Sequence, residues 1–317
     1  MENDIPTLFV EINDTNFIFN AGILDENQNF QIKKTIVTPN KDIKKNKFLN
    51  LMNINLIIKN NIEIIENELN HVFKEVIIIL DSFNYSCINI SGSKKLNGSQ
   101  ILKDNISYIL NNLKLVITEN EKEKTILHIF NSKSVLDGTS TQNLPIGLFG
   151  DFYNHELSFF LINNNDLKNL KKIFNKNNLK VKKIILKDFI EGAELIKQNH
   201  GIETFFKIKI NKDTININFF DNSSFRFSQN FNFGSNIILN DISKICSISH
   251  EMINKILSDK ILENINSDSD LLEDKYFVGS NYRKIRKKLF IEIVEARIEE
   301  IVQIIFEKNV NIENLIK

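Results

Sequence analysis

Short apolar runs rich in β-formers occupy residues 7–12 (TLFVEI), 16–24 (NFIFNAGIL) and 29–37 (NFQIKKTIV). Asn- and Asp-rich turns, NDT and DENQ, separate these runs, which predicts an opening strand meander. The pattern then changes. Across 47–72, apolar residues recur at Leu51, Ile54, Ile58, Ile62, Ile65 and Leu69, the spacing of one helix face. VIIIL at 76–80 is a continuous apolar run, the signature of a strand covered on both faces. Strands, a helix and another buried strand form one α/β layer unit.

From Asn84 the elements become shorter and more polar. YSCINISG, TILHIFNSKSVLDG and HELSFFLIN read as strands, and 100–115 as a helix. The loop QNLPIGLFGD carries Pro145, Gly147 and Gly150 in a span otherwise poor in both residue types. A helix follows over 163–178, then VKKIILKDFIEGAELIKQ as a strand and short helix. Residues 205–233 return to the opening theme with FFKIKI, ININFF and FRFSQNFNF. Helices at 237–257 and 285–306 flank a polar loop at 264–274. A strand meander followed by a helix thus occurs twice, with an extra strand-helix-strand-strand module interrupting the first copy. The predicted class is a two-lobed α/β protein with an α+β insert. Its first lobe is 1–82 plus 165–200, the insert 83–164, and the second lobe 201–317.

Composition removes several functions. Forty Lys and Arg balance forty Asp and Glu, so no net charge steers the chain toward nucleic acid. Residues 1–30 lack a secretory pattern, and no stretch approaches the ~18 apolar residues of a spanning helix. Cys87 and Cys246 are far apart and make no disulfide framework, which points to a reducing compartment. The five histidines show no metal-ligand spacing, and no metal site is expected. Neither GxxxxGK[ST] nor GxSxG occurs, and Ser91-Gly92-Ser93-Lys94 fits SxxK without its companion motifs, so no catalytic residue is assigned. With only 10 glycines and 3 prolines in 317 residues, the position of each glycine is informative.

Four segments, in order, resemble the bacterial cell-division protein family FtsA, of the actin, heat-shock and sugar-kinase ATPase superfamily. The most specific spans residues 126–162, with His128, Asp137, Asn143, Pro145, Gly147 and Gly150 at positions of the family pattern. LKNLKKIFNKNNLKVKKIILKDFIEGAEL continues it, NFGSNIILNDISKICSISHEMINKI (232–256) is similar to a later family segment, and FIEIVEARIEEIVQII (290–305) to the last, with Glu292, Glu295, Arg297 and Glu300 matching. A pilus-assembly ATPase with the same insert ranks second. The resemblance implies an actin-like fold and ATP with Mg²⁺ as the ligand. It also implies binding of the C-terminal tail of FtsZ, contacts with other division proteins, self-association into protofilaments, and a cytoplasmic location at the inner face of the membrane at the division site.

Against that pattern the phosphate loops depart. The first reads Glu11-Ile12-Asn13-Asp14-Thr15-Asn16, with Asn13 in place of the family glycine. The second reads Lys209-Ile210-Asn211-Lys212-Asp213-Thr214, where three glycines become Asn, Lys and Asp and the metal-side Asp becomes Lys209. Glycine lets backbone amides approach phosphate oxygens without a Cβ between. The remnant nucleotide set implied by the resemblance is Asn13, Asp14, Thr15, Asp213, Thr214, Gly234, Glu251 and Lys255. The expectation is therefore an interaction scaffold, with a nucleotide-gated ATPase as the alternative. The family's adenosine segment and its C-terminal membrane helix have no counterpart here, so membrane contact is expected only indirectly or through a segment missing from this sequence.

The basic run Arg283, Arg286, Lys287 and Lys288 is the candidate contact for an acidic FtsZ tail. The alternative for this run is an ordinary solvated helix face. Arg297 is expected in an ion pair with Glu292 or Glu300 at helical spacing. His128 and His155 are expected to be half-buried structural residues, and FRFSQNFNF a core-facing strand rather than a base-stacking one.

Overall fold

The computed structural model describes the chain except residues 1–4, 26–28, 45–46, 82, 142, 260, 263–266, 268, 278–280 and 317. Parts of the expected turn at 25–28 and of the loops at 142–151 and 264–274 lie outside the described residues. The described chain divides into two compact units, one of residues 1–207 with 217–229, the other of 208–216 with 230–317.

In the first unit, β1 (Thr7–Ile12), β2 (Asn16–Leu24) and β3 (Phe30–Pro39) form the expected antiparallel meander. A two-residue ladder of β4 (Ile43–Lys44) and β5 (Lys47–Phe48) follows, then α1 (Leu51–Leu69) and β6 (Glu75–Leu80). The α1 start lies inside the predicted span because the Asn50 side chain accepts from the Asn53 amide, and Asn70 ends the helix in the left-handed region (φ 49°). β6 runs parallel to β1 and, on its other side, to β11 (Lys180–Leu186), which gives the sheet order β11-β6-β1-β2-β3. Burial on both sides accounts for the unbroken VIIIL run. Ile54, Ile58, Ile62 and Ile65 of α1 and Leu170, Ile173 and Phe174 of α3 (Asn164–Asn175) share one core with Leu8, Val10, Phe17 and Ile78 of the sheet.

The insert comprises β7 (Ser86–Lys95), α2 (Lys103–Asn120), β8 (Lys124–Leu136), the short β9 (Thr139–Thr141) and β10 (Phe152–Asn163), in sheet order β7-β10-β8-β9. Ile109, Leu113 and Ile117 of α2 pack on Tyr153, Leu157, Phe159 and Leu161 of β10. The next residues, Phe160 and Ile162, belong to the main core, so β10 buries both faces and seats the module. At the loop between β9 and β10, the Asp137 carboxylate accepts from the amides of Asp151 (3.0 Å) and Phe152 (2.7 Å). Gly150 lies beneath it, where a Cβ would meet Leu136 Cδ1 at 2.4 Å.

α4 (Lys187–Gln198) leaves the end of β11 and leads to the second meander, β12 (Phe205–Ile210), β13 (Ile215–Asp221) and β14 (Ser224–Phe231), in that sheet order. FRFSQNFNF is core-facing in part: Phe225 is fully buried and stacks on Phe160 and Phe220. Arg226, itself buried, donates to Ser132 Oγ (2.6 Å), Asp221 Oδ2 (2.6 Å) and Glu156 Oε1 (3.0 Å). In the second unit, α5 (Asn236–Cys246), α6 (His250–Ser258) and α7 (Lys287–Val302) gather around Ile242, Ile253, Ile256, Leu272, Tyr276, Phe290 and Ile293, and α8 (Val310–Ile316) lies against 303–307. The span 237–257, expected as one helix, is two. Ser247 adopts the left-handed region (φ 50°) and Ser249 caps α6 by accepting from the Met252 amide. The last amphipathic helix relaxes into a π turn over Gln303–Glu307. Among the described residues, no helix is long and apolar enough to cross a membrane.

Candidate functional site

Ile12, Leu80 and Leu186 lie level, as paired residues at the carboxyl ends of β1, β6 and β11. In open sheets with parallel strands, ligands bind outside this edge. The turn Asn13–Asp14–Thr15 leaves the sheet there. Asn13 Oδ1 accepts from the Asn16 amide (2.7 Å), the Thr15 amide (3.0 Å) and the Thr15 hydroxyl (3.0 Å). Amides that a phosphate oxygen would need are thus bonded to a side-chain oxygen of the same turn. The turn's carbonyls are held from the other side by buried Asn40. Its amide donates to Thr15 O (2.7 Å) and its Nδ2 to Asn13 O (2.6 Å), while its Oδ1 accepts from the Asp42 and Ile43 amides.

Beside this turn, Glu11 is 8% exposed, and its Oε2 receives Lys187 Nζ at 2.6 Å. Lys187 is the first residue of α4. The preceding amide, of Leu186, donates to His128 Nε2 at 3.3 Å, which fixes that nitrogen as an acceptor. Burial, with the Lys183 ammonium as a second cause, pushes the His128 imidazole down to about 4. His155, expected to be half-buried, is in fact 1% exposed, and burial lowers its pKa as well. Further along α4, Asp188 accepts from the Tyr85 hydroxyl (2.8 Å) and pairs with Lys207 (3.2 Å). Burial and the Asp188 charge hold that hydroxyl well above its ordinary pKa.

The second turn, Asn211–Thr214, lies in the second unit and is closed differently. The Asn211 amide donates to Thr214 O (2.9 Å), and the Asn211 side chain to Thr214 Oγ1 (3.2 Å). The outward carbonyls of Asn211 and Lys212 then accept from the Ser235 and Asn236 amides, each at 2.9 Å, at the start of α5. Those amides open a helix N-terminus, the ready-made place for an anion. Gly234 permits this closure, since a Cβ there would lie 2.2 Å from Asn211 O and 2.6 Å from Lys212 O. Asp213 is exposed and accepts from Asn236 Nδ2 at 2.9 Å.

The remaining predicted residues separate into two sets. Glu251 and Lys255 are exposed on α6, in its first and last turns, where their charges complement the helix dipole. In the basic run, exposed Arg283 donates to Ser247 O at 3.1 Å, capping the end of α5. Arg286 is exposed, with its backbone bridged to Leu271, and Lys287 begins α7. Arg297 finds Glu300 (2.6 Å) as expected, but its other partner is Asp241 of α5 rather than Glu292. The hydrogen bond that Arg297 donates to Asp241 raises its pKa. Sequence reasoning missed Asn40, Lys187 and Asn236. Only for Asn40 was a local signal present, an Asx residue two positions before Asp42. Among the described residues, no three His, Cys, Asp or Glu side chains gather as a metal site.

A duplicated meander-and-helix plan, with a parallel extension and an insert, is the fold of the actin-like ATPases. The chain superposes on the PilM-PilN type IV pilus biogenesis complex with a TM-score of 0.52 at 8% identity, over 80% of this chain and 69% of that one. Within this class the chain resembles the cell division protein FtsA. It is 24% identical to FtsA of Buchnera aphidicola subsp. Schizaphis graminum over 305 residues, 93% of this chain and 71% of that protein. To FtsA of the Acyrthosiphon pisum strain it is 22% identical over 309 residues, 96% and 73% of the two lengths. No protein-family model matches the chain.

Proposed function

We propose that this protein is an FtsA-like cell-division scaffold that works without bound nucleotide. It binds the C-terminal tail of FtsZ, associates with copies of itself and with other division proteins, and acts in the cytoplasm at the inner face of the membrane at the division site. The observation that carries the reading is the resemblance to FtsA over nearly the whole chain, joined to phosphate turns whose donors are already bonded within the protein. ATP with Mg²⁺, which the class implies, fits these residues poorly. Asn13 Oδ1 stands where an anion would be held, Lys187 neutralises the nearest buried carboxylate, and no opening remains between Gly234 and the second turn. Binding Mg-ATP would mean breaking these bonds first.

The basic segment 283–288 is the contact we assign to the FtsZ tail. Arg286 presents its charge at the surface, and basic residues at a helix start oppose the helix dipole, so they serve a partner better than the helix. Fluorescence anisotropy with an FtsZ C-terminal peptide tests this. Binding is expected to weaken with salt and to fall at least tenfold in Arg286→Glu/Lys287→Glu, and unchanged affinity removes the assignment. Thermal melting addresses the nucleotide. A bound ligand at 100 times Kd stabilises by about 2.7 kcal/mol, so a rise of that size with millimolar Mg-ATP overturns the nucleotide-free reading in favour of a gated ATPase.

A further inference from the structure

We infer that the first turn carries built-in substitutes for both halves of a metal–phosphate ligand: Asn13 Oδ1 for the anion and the Lys187 ammonium for the cation. The inference deepens the nucleotide-free reading above and rests on it. Three observations converge. Asn13 Oδ1 collects three donors on one oxygen, an arrangement a phosphate oxygen would make. Glu11 is a nearly buried carboxylate, a costly place for an unpaired charge, and Lys187 Nζ pairs with its Oε2 at 2.6 Å. Both groups sit at the shared carboxyl edge of β1 and β11, the edge where an open sheet takes its ligand. Neither Asn13 nor Lys187 has to come from solution, so the edge is ordered at all times and does not report nucleotide state. Asn40 adds a further lock, because it bonds the carbonyl of Asn13 itself.

Hydrogen exchange on the full chain tests the anion half. In the wild type the Thr15 and Asn16 amides are expected to be protected without ligand, and pyrophosphate or Mg-ATP to leave that protection unchanged. In Asn13→Gly the same amides should exchange about five- to tenfold faster, the loss of roughly one hydrogen bond each, and pyrophosphate should slow them again. Unchanged exchange in Asn13→Gly, or ligand-induced protection in the wild type, overturns the anion half. For the cation half, Lys187→Met should lower the melting temperature, and the double variant Glu11→Gln/Lys187→Met should recover most of the loss. If Lys187→Met melts like the wild type, the counter-ion role is wrong. If the double variant melts as low as the single one, the loss comes from packing rather than charge, and the role is equally wrong. FtsZ-peptide affinity, read on the same variants, is expected to stay at its wild-type value. Its absence in the wild type would sink the scaffold reading while leaving the exchange results to decide this one.

Discussion

The two turns that the FtsA resemblance aligns with phosphate loops are closed by different chemistry. The first adds side chains to its backbone bonds: Asn13 Oδ1 takes the Thr15 and Asn16 amides, Asn40 Nδ2 the Asn13 carbonyl, and Lys187 pairs with the neighbouring carboxylate. The second is closed chiefly by backbone, with the carbonyls of Asn211 and Lys212 on the amides at the start of α5. Glycine loss has opposite meanings in the two. At the first turn Asn13 stands where the FtsA resemblance implies a glycine, and its side-chain oxygen takes the turn's donors. At the second, a retained glycine, Gly234, allows two backbone segments to meet so closely that no ligand is needed. A side-chain closure can be undone by truncating one residue. A backbone closure has to be wedged apart.

The largest expected effect is at the first turn. Asn40→Ala removes three good bonds from a residue only 5% exposed, those to Asn13 O, the Asp42 amide and the Ile43 amide. At about 1 kcal/mol net for each, stability should fall by about 2–4 kcal/mol. Urea unfolding measures it, with hydrogen exchange showing the loss centred on residues 13–16 and not on 211–214. Equal loosening of both turns would erase the distinction between them.

Next comes the wedge. Gly234→Ala places a methyl group against two backbone carbonyls, neither of which belongs to a flexible side-chain end. Overpacking of this kind costs about 1–3 kcal/mol. Exchange at Ser235 and Asn236 should rise, while Thr15 and Asn16 stay as in the wild type. Tolerance of alanine without any change in exchange would show that the second closure is looser than its distances imply.

How these closures came to be visible differs as well. Both turns were legible in the sequence, because β-rich runs on either side of NDT and NKDT leave the chain no other place to reverse. The helices over α1 and α3 were legible from their apolar spacing, but the ends of α1 were not: the span 47–72 shortens to Leu51–Leu69, between the Asn50 cap and left-handed Asn70. Lys187 was not. It lies 176 positions from Glu11, and only the parallel pairing of β1, β6 and β11 brings the two together. The division of 237–257 into two helices was hidden for a different reason: a serine in the left-handed region carries no compositional flag. Arg297 illustrates the same limit, since helical spacing finds Glu300 but not Asp241, which lies on another helix.

Acid should separate the two regions with a smaller effect. His128 accepts the Leu186 amide beneath Lys187, and no corresponding histidine bond is found among the described residues at the second turn. Its folded pKa of about 4 lies below the ordinary 6.5, because burial disfavours the charged ring. The neutral form therefore belongs to the folded state. Its contribution is full above pH 6.5 and is lost as pH falls from 6.5 toward 4. Partial exposure limits the loss to about 1–2 kcal/mol. The difference in stability between wild type and His128→Gln, followed by urea unfolding from pH 7.5 to 4.5, should shrink through that window. A difference that stays constant with pH would show that the Leu186 bond does not depend on the neutral ring.

The smallest effect probes whether side chains matter at all to the second closure. Asn236 Nδ2 donates to exposed Asp213 at 2.9 Å, a side-chain link between the turn and α5. If the backbone contacts carry the closure, Asn236→Ala should change stability by no more than about 0.5 kcal/mol, the usual range for a surface substitution. Exchange of the Asn236 amide should also stay slow, because its acceptor, Lys212 O, is untouched. A loss approaching that of Gly234→Ala would mean that the second turn, like the first, is held by its side chains, and that one mechanism rather than two replaced the glycines.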